Sequence, residues 1–184
     1  INDFFVKGDY VYAAAEEEGL LVIDFSDPYN PKLVANYSTS EAQDVVVDGN
    51  WAFVADKIDG LVAFDVSDPT NPIHLYRNDT LQPSLGNLDF NRVLVKNNLM
   101  FLGEDGYLLT LNVTDRFHPK FLDSSYLGFT IMDIVGHGNN LHVVNSKGYY
   151  YCIDASNPSN MPFQPGPLYF GSSGSEIDRG LEIE

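Results

Sequence analysis

The chain has 184 residues, 44% of them hydrophobic, and a formal net charge of −16 at pH 7. That is enough chain and apolar content for one folded domain with a core. The acidity argues against nucleic acid as a partner, because such binding rests on Lys and Arg neutralising phosphates. With no apolar run of about 18 residues, no transmembrane segment is expected either.

Taken in chain order, the elements repeat. Asp3-Phe4-Phe5-Val6-Lys7-Gly8-Asp9-Tyr10 opens the first unit, and Leu21-Val22-Ile23-Asp24-Phe25-Ser26-Asp27-Pro28-Tyr29-Asn30-Pro31 ends a strand in a proline-bounded loop. The second unit copies both, as Asp44-Val45-Val46-Val47-Asp48-Gly49-Asn50-Trp51 and Val62-Ala63-Phe64-Asp65-Val66-Ser67-Asp68-Pro69-Thr70-Asn71-Pro72. Its spacing predicts an innermost strand A over Asp44–Asp48, a Gly49-Asn50 hairpin turn and strand B over Trp51–Asp56. After an Asp59-Gly60 turn come strand C over Leu61–Val66, a rigid loop over Ser67–Pro72 and strand D over Ile73–Arg77. Asp27 and Asp68 are expected to cap their turns through the carboxylates. The third unit starts at Arg92 and carries a worn copy, Leu111–Pro119, with Arg116 where the first proline stood. The fourth starts at Asp133 and reads Cys152-Ile153-Asp154-Ala155-Ser156-Asn157-Pro158. Asp178-Arg179-Gly180-Leu181-Glu182-Ile183-Glu184 then looks like the inner strand of a fifth unit.

Starts at positions 3, 44, 92 and 133 give steps of 41, 48 and 41 residues, the length of a four-stranded propeller blade. The expected fold is therefore all-β, a β-propeller of four-stranded antiparallel blades, forming a single domain or part of a larger propeller. Its repeats span 3–43, 44–91, 92–132 and 133–178, and residues 179–184 begin a fifth. These segments resemble the LVIVD repeat, a propeller-forming family of secreted and surface-attached bacterial and archaeal proteins. The resemblance implies an extracellular or cell-surface location and supplies no catalytic residues to carry over.

No motif pairs a nucleophile with a base. Cys152 is the only cysteine, so no disulfide framework can form, and it reads as a buried free thiol. His74, His118, His137 and His142 lack metal-ligand spacing, and His137 and His142 read as neutral residues flanking a hairpin turn. Three glycosylation sequons begin at Asn36, Asn78 and Asn112. Asn36 and Asn78 are expected at the ends of outermost strands, whereas Asn112 replaces a repeated Asp and is expected to be partly shielded.

Propeller topology puts A–B and C–D connections on one face and B–C and D–A connections on the other. The first face is uniform. The second varies, with Glu16-Glu17-Glu18, Asp56 with Asp59, and Glu104-Asp105 in B–C turns and insertions over 78–91 and 160–178. Asp3, Asp44 and Asp133 open inner strands at that rim, forming a channel-mouth group able to hold Ca²⁺ or a cationic partner, although an Asp before a strand is also an ordinary turn residue. The expected role is a non-enzymatic surface scaffold or binding module without a required cofactor, open to glycosylation and to serving as a subunit of a filament or other assembly. The alternative is a propeller hydrolase or lyase using carboxylates at the channel mouth. Because the chain stops one strand into a fifth unit, it is expected to be part of a longer polypeptide. Its terminal strand is expected to pair with downstream sequence or a neighbouring subunit, or else with the edge of the first blade in a closed ring.

Overall fold

The computed structural model describes residues 1–78, 89–159, 161, 168 and 169. These form four antiparallel four-stranded sheets and no helix. The first blade holds β1 (Asp3–Lys7), β2 (Tyr10–Ala14), β3 (Leu20–Asp24) and β4 (Lys32–Tyr37). The second holds β5 (Ala42–Asp48), β6 (Trp51–Asp56), β7 (Gly60–Asp65) and β8 (Ile73–Asn78). The third holds β9 (Arg92–Lys96), β10 (Leu99–Gly103), β11 (Tyr107–Asn112) and β12 (Lys120–Tyr126). In the fourth are β13 (Ile131–His137), β14 (Asn140–Asn145), β15 (Tyr149–Asp154) and β16 (Leu168–Tyr169). The arrangement is a four-bladed β-propeller whose strands lie in sequence order within every blade.

The turn chemistry follows the sequence. Gly8, Gly49 and Gly138 open the A–B hairpins at φ 58°, 58° and 56°, the sign a II′ turn demands of its first central residue. The third blade reaches the same hairpin with Asn97 and Asn98, both at positive φ, as in a I′ turn. In the C–D loops the expected caps form: Asp27 Oδ1 accepts the Tyr29 N–H at 3.1 Å, and Asp68 Oδ1 accepts the Thr70 N–H at 3.0 Å. The outer pairing holds an unforeseen irregularity, a register shift between C and D strands after Val22, Ala63 and Thr110. Strand β5 also starts earlier than expected, at Ala42, with a shift between Ala42 and Asp44.

Three apolar clusters join the blades. Tyr12, Ala14, Leu20 and Val22 meet Val45, Val47, Val54 and Phe64 between blades one and two. Between blades two and three, Val46, Phe53, Leu61 and Ala63 meet Val93, Met100, Leu102 and Leu111. Phe101 and Leu108 meet Ile134, Leu141, Val143 and Ile153 between blades three and four. Alternation along each strand explains this, because successive side chains point to opposite faces and both faces of an inner blade are covered. Inner strand β5 packs between β1 and β9, and β9 packs on β13. Among the described residues no comparable packing joins β13 to β1.

Candidate functional site

The two rims are joined as the topology requires. On one, the Val66 N–H donates to the Asn50 carbonyl at 2.8 Å, tying a C–D loop to its A–B turn. On the other, the Glu41 N–H donates to Asp56 Oδ2 at 2.8 Å, tying a D–A connection to a B–C turn. Asp3, Asp44 and Asp133 lie at this second rim, at or near the starts of β1, β5 and β13. They occupy the same register position and have three different environments.

Asp44 is buried. Its Oδ1 accepts the Val45 N–H at 2.6 Å, and its Oδ2 accepts the Val93 N–H of the next blade at 2.8 Å. Burial pushes its carboxyl up to about 7, against the pull of those two N–H groups and Arg92, and the nearby Asp3 carboxylate adds to the rise. Asp3 is half-buried and accepts the Phe4 N–H at 2.7 Å. Asp133 is exposed and accepts the Ile134 N–H at 2.8 Å. In the third blade Arg92 takes this position, its guanidinium donating to the carbonyls of Met132 and Asn91. The mouth therefore brings Asp3 and Arg92 into electrostatic reach of Asp44, and Asp133 is not among the groups that shift Asp44.

The B–C turns divide into structural and unsatisfied acids. Asp56 and Asp59 are buried. Asp56 Oδ1 accepts the N–H groups of Ile58 and Asp59, and Asp59 accepts the Ser40 N–H and hydroxyl while pairing with Arg77 at 2.8 Å. Glu104 differs. Its Oε2 and Asn91 Oδ1 are buried acceptors with no hydrogen-bond partner among the described residues. Burial first, then Asp89 and Asp105, lifts the Glu104 carboxyl to about 7. Glu16, Glu17 and Glu18 project into solvent from the first blade. Among the described residues no group of three or more His, Cys, Asp and Glu converges as a metal cluster.

The remaining sequence candidates are separate from this rim. Asn36 is exposed near the end of β4, and Asn78 ends β8. Asn112 is half-buried, and its Oδ1 accepts the Thr114 N–H at 2.8 Å, the same cap that Asp24 and Asp65 provide. Cys152 is free but half-buried rather than buried, because the face of β15 that carries it has no blade beyond it among the described residues. His142 turns to the Tyr150 hydroxyl at 2.6 Å, while His137 pairs across the hairpin with Asn140. Arg116, read only as a lost proline, reaches across to the Asp48 carboxylate of the second blade. Its carbonyl accepts the Tyr76 hydroxyl at 2.7 Å, so this departure from the repeat is an inter-blade clamp. The fifth-unit strand at 178–184 and most of both insertions lie outside the described residues.

The family model of the LVIVD repeat matches residues 2–39, 40–80 and 128–164, more than half of the chain. It leaves the third blade unmatched, although that sheet is complete. None of the curated proteins matches in sequence. Among solved structures, the computationally designed Ika8 protein is similar at TM-score 0.65 and 12% identity, over 88% of this chain and 48% of its own. The Myceliophteria thermophila Cps50 (Swd1) beta-propeller domain is similar at TM-score 0.68 and 13% identity, over 88% and 57%. The designed Ika4 protein is similar at TM-score 0.61 and 11% identity, over 82% and 88%. The chain thus spans about half the length of the first two.

Proposed function

The chain belongs to the LVIVD-repeat family, and on that premise we propose that it is a non-enzymatic scaffold or binding module of the cell surface or extracellular space. The observation that carries this reading is how its carboxylates are used. Asp44, Asp56 and Asp59 accept backbone N–H groups that fix strands and blades. What faces outward at the variable rim is acidic surface, including Glu16–Glu18, on a stiff frame. Such a rim suits a cationic partner or Ca²⁺. Exposed Asn36 suits a glycan, as the family's surface placement would allow.

Two measurements test this. Material from the native source should exceed the bare polypeptide in intact mass by glycan increments, and a bare mass would sink the glycoprotein part. Replacing Asp3, Asp44 or Asp133 by Ala should alter Ca²⁺ or partner binding without removing any turnover. A second reading, a propeller hydrolase or lyase, draws on Asp44 and Glu104, two carboxyls raised to about 7 in the same rim and so suited to proton transfer. A hydrolytic activity abolished in Asp44→Ala would select it.

A further inference from the structure

Counted from the start of strand B, the sixth residue is Asp56 in the second blade, Glu104 in the third and Asn145 in the fourth. Asp56 and Asn145 act alike. Asp56 Oδ1 accepts the N–H groups of Ile58 and Asp59 in its B–C turn, and Oδ2 accepts the Glu41 N–H of the connection that enters the blade. Asn145 Oδ1 accepts the N–H groups of Lys147 and Tyr149, and its Nδ2 donates to the Leu127 carbonyl of the entering connection. Each side chain ties a B–C turn to the connection before it. Glu104, one methylene longer than aspartate, instead leaves its Oε2 buried with no donor among the described residues. Buried Asn91, on the connection entering the third blade, has an Oδ1 in the same condition. The Asn91 N–H donates to the Gly103 carbonyl at 2.9 Å, which sets Asn91 opposite the residue before Glu104. Its Oδ1 lies 3.1 Å from where a Cβ on residue 103 would stand, and the other blades hold Ala14, Ala55 and Val144 at that position. Two adjacent departures from the repeat, Gly103 and Glu104, thus leave an amide oxygen and a carboxyl oxygen at one corner of the rim, each lacking a donor.

We propose that protonated Glu104 donates its Oε2 hydrogen to Asn91 Oδ1, a latch that fastens the entering connection to the third blade and opens as the carboxyl ionises. A carboxylate only accepts, whereas a carboxylic acid carries one O–H donor, so a single proton satisfies both oxygens. The charged neighbours favour that proton. Asp89 on the connection and Asp105 on the turn both act on Glu104, while Arg92 on β9 directs its guanidinium to the carbonyls of Met132 and Asn91. Burial first, then those two carboxylates, holds the Glu104 carboxyl at about 7 against an ordinary 4.5. The stability the latch contributes is fully present below about pH 4.5 and is lost as pH rises through about 7. This pH-sensitive device goes beyond the scaffold reading and does not depend on it.

Carbon-13 NMR of the glutamate carboxyls reads the proton, and amide hydrogen exchange at Asn91 reads the latch. One glutamate resonance, missing from Glu104→Gln, should titrate near pH 7. Across that range the protection of the Asn91 N–H, corrected for intrinsic exchange, should fall roughly tenfold, as for the loss of one hydrogen bond. Glu104→Gln keeps a donor at every pH and should hold that protection level. Glu104→Asp restores the length of Asp56, so it should accept backbone N–H groups, titrate in the ordinary carboxylate range and lose the response. A Glu104 midpoint below about 5, an Asn91 protection indifferent to pH, or a response that survives in both variants would overturn the latch. So would displacement of the Glu104 proton by Ca²⁺, which would assign the corner to a metal ion instead.

Discussion

The second and fourth blades carry the same repeat and differ in their neighbours. Position by position, Val46, Phe53, Ala55, Leu61 and Ala63 of the second correspond to Val135, His142, Val144, Tyr150 and Cys152 of the fourth. The first set is buried against the third blade. The second set is half-buried or exposed, and is more polar. Burial here belongs to the interface, and a strand's own letters do not determine it. The knob of strand B shows this clearly: Tyr12, Phe53 and Phe101 fill inter-blade space, and where no blade follows among the described residues the position holds His142, bonded to Tyr150.

The largest expected effect follows from that knob. Phe53→Ala should destabilise by roughly 3–5 kcal/mol in urea unfolding, and His142→Ala by less than about 1 kcal/mol. Equal losses would break the comparison. Next comes pH, at Asp44, the buried one of the three rim aspartates. Because the folded carboxyl of Asp44 lies at about 7, above its unfolded value near 3.8, its contribution is fully present below pH ~4 and lost as pH rises through about 7. Each unit of displacement corresponds to about 1.4 kcal/mol. Melting temperature should therefore fall over that window, and Asp44→Asn should flatten the fall. The smallest effect concerns the clamp between blades two and three. A double-mutant cycle on Arg116 and Asp48, a partly exposed pair, should yield a coupling of about 0.2–1 kcal/mol. A coupling of zero would show that packing alone holds that edge.

Period, turns and inner strands were legible because they depend on local chemistry. Gly49 at a hairpin, Asp68 capping a loop and Val45–Val47 on an inner strand all express themselves within a few residues. The site was less legible. Asp3, Asp44 and Asp133 share one register position, yet it is Asp44 that is buried and bonded to the next blade, and its carboxyl is raised to about 7. That difference is set by Val93, far along the chain, and by Arg92, which breaks the aspartate pattern. Likewise Arg116 looks like decay of the repeat until the second blade is placed beside it. The third blade escapes the family model over its whole sheet and still folds as the others do, since inward apolar side chains suffice for packing even when the loop signature is worn.

Each blade draws its four strands from one contiguous stretch, and among the described residues no strand is exchanged between blades. The chain can therefore be built during synthesis in installments of one sheet. The first blade has all four of its paired strands once Tyr37 has left the ribosome, and long-range closure is postponed to face-to-face docking. At every pause the nascent molecule exposes one apolar leading face, which the next sheet covers. Chaperone demand should accordingly rise and fall once per repeat as translation proceeds.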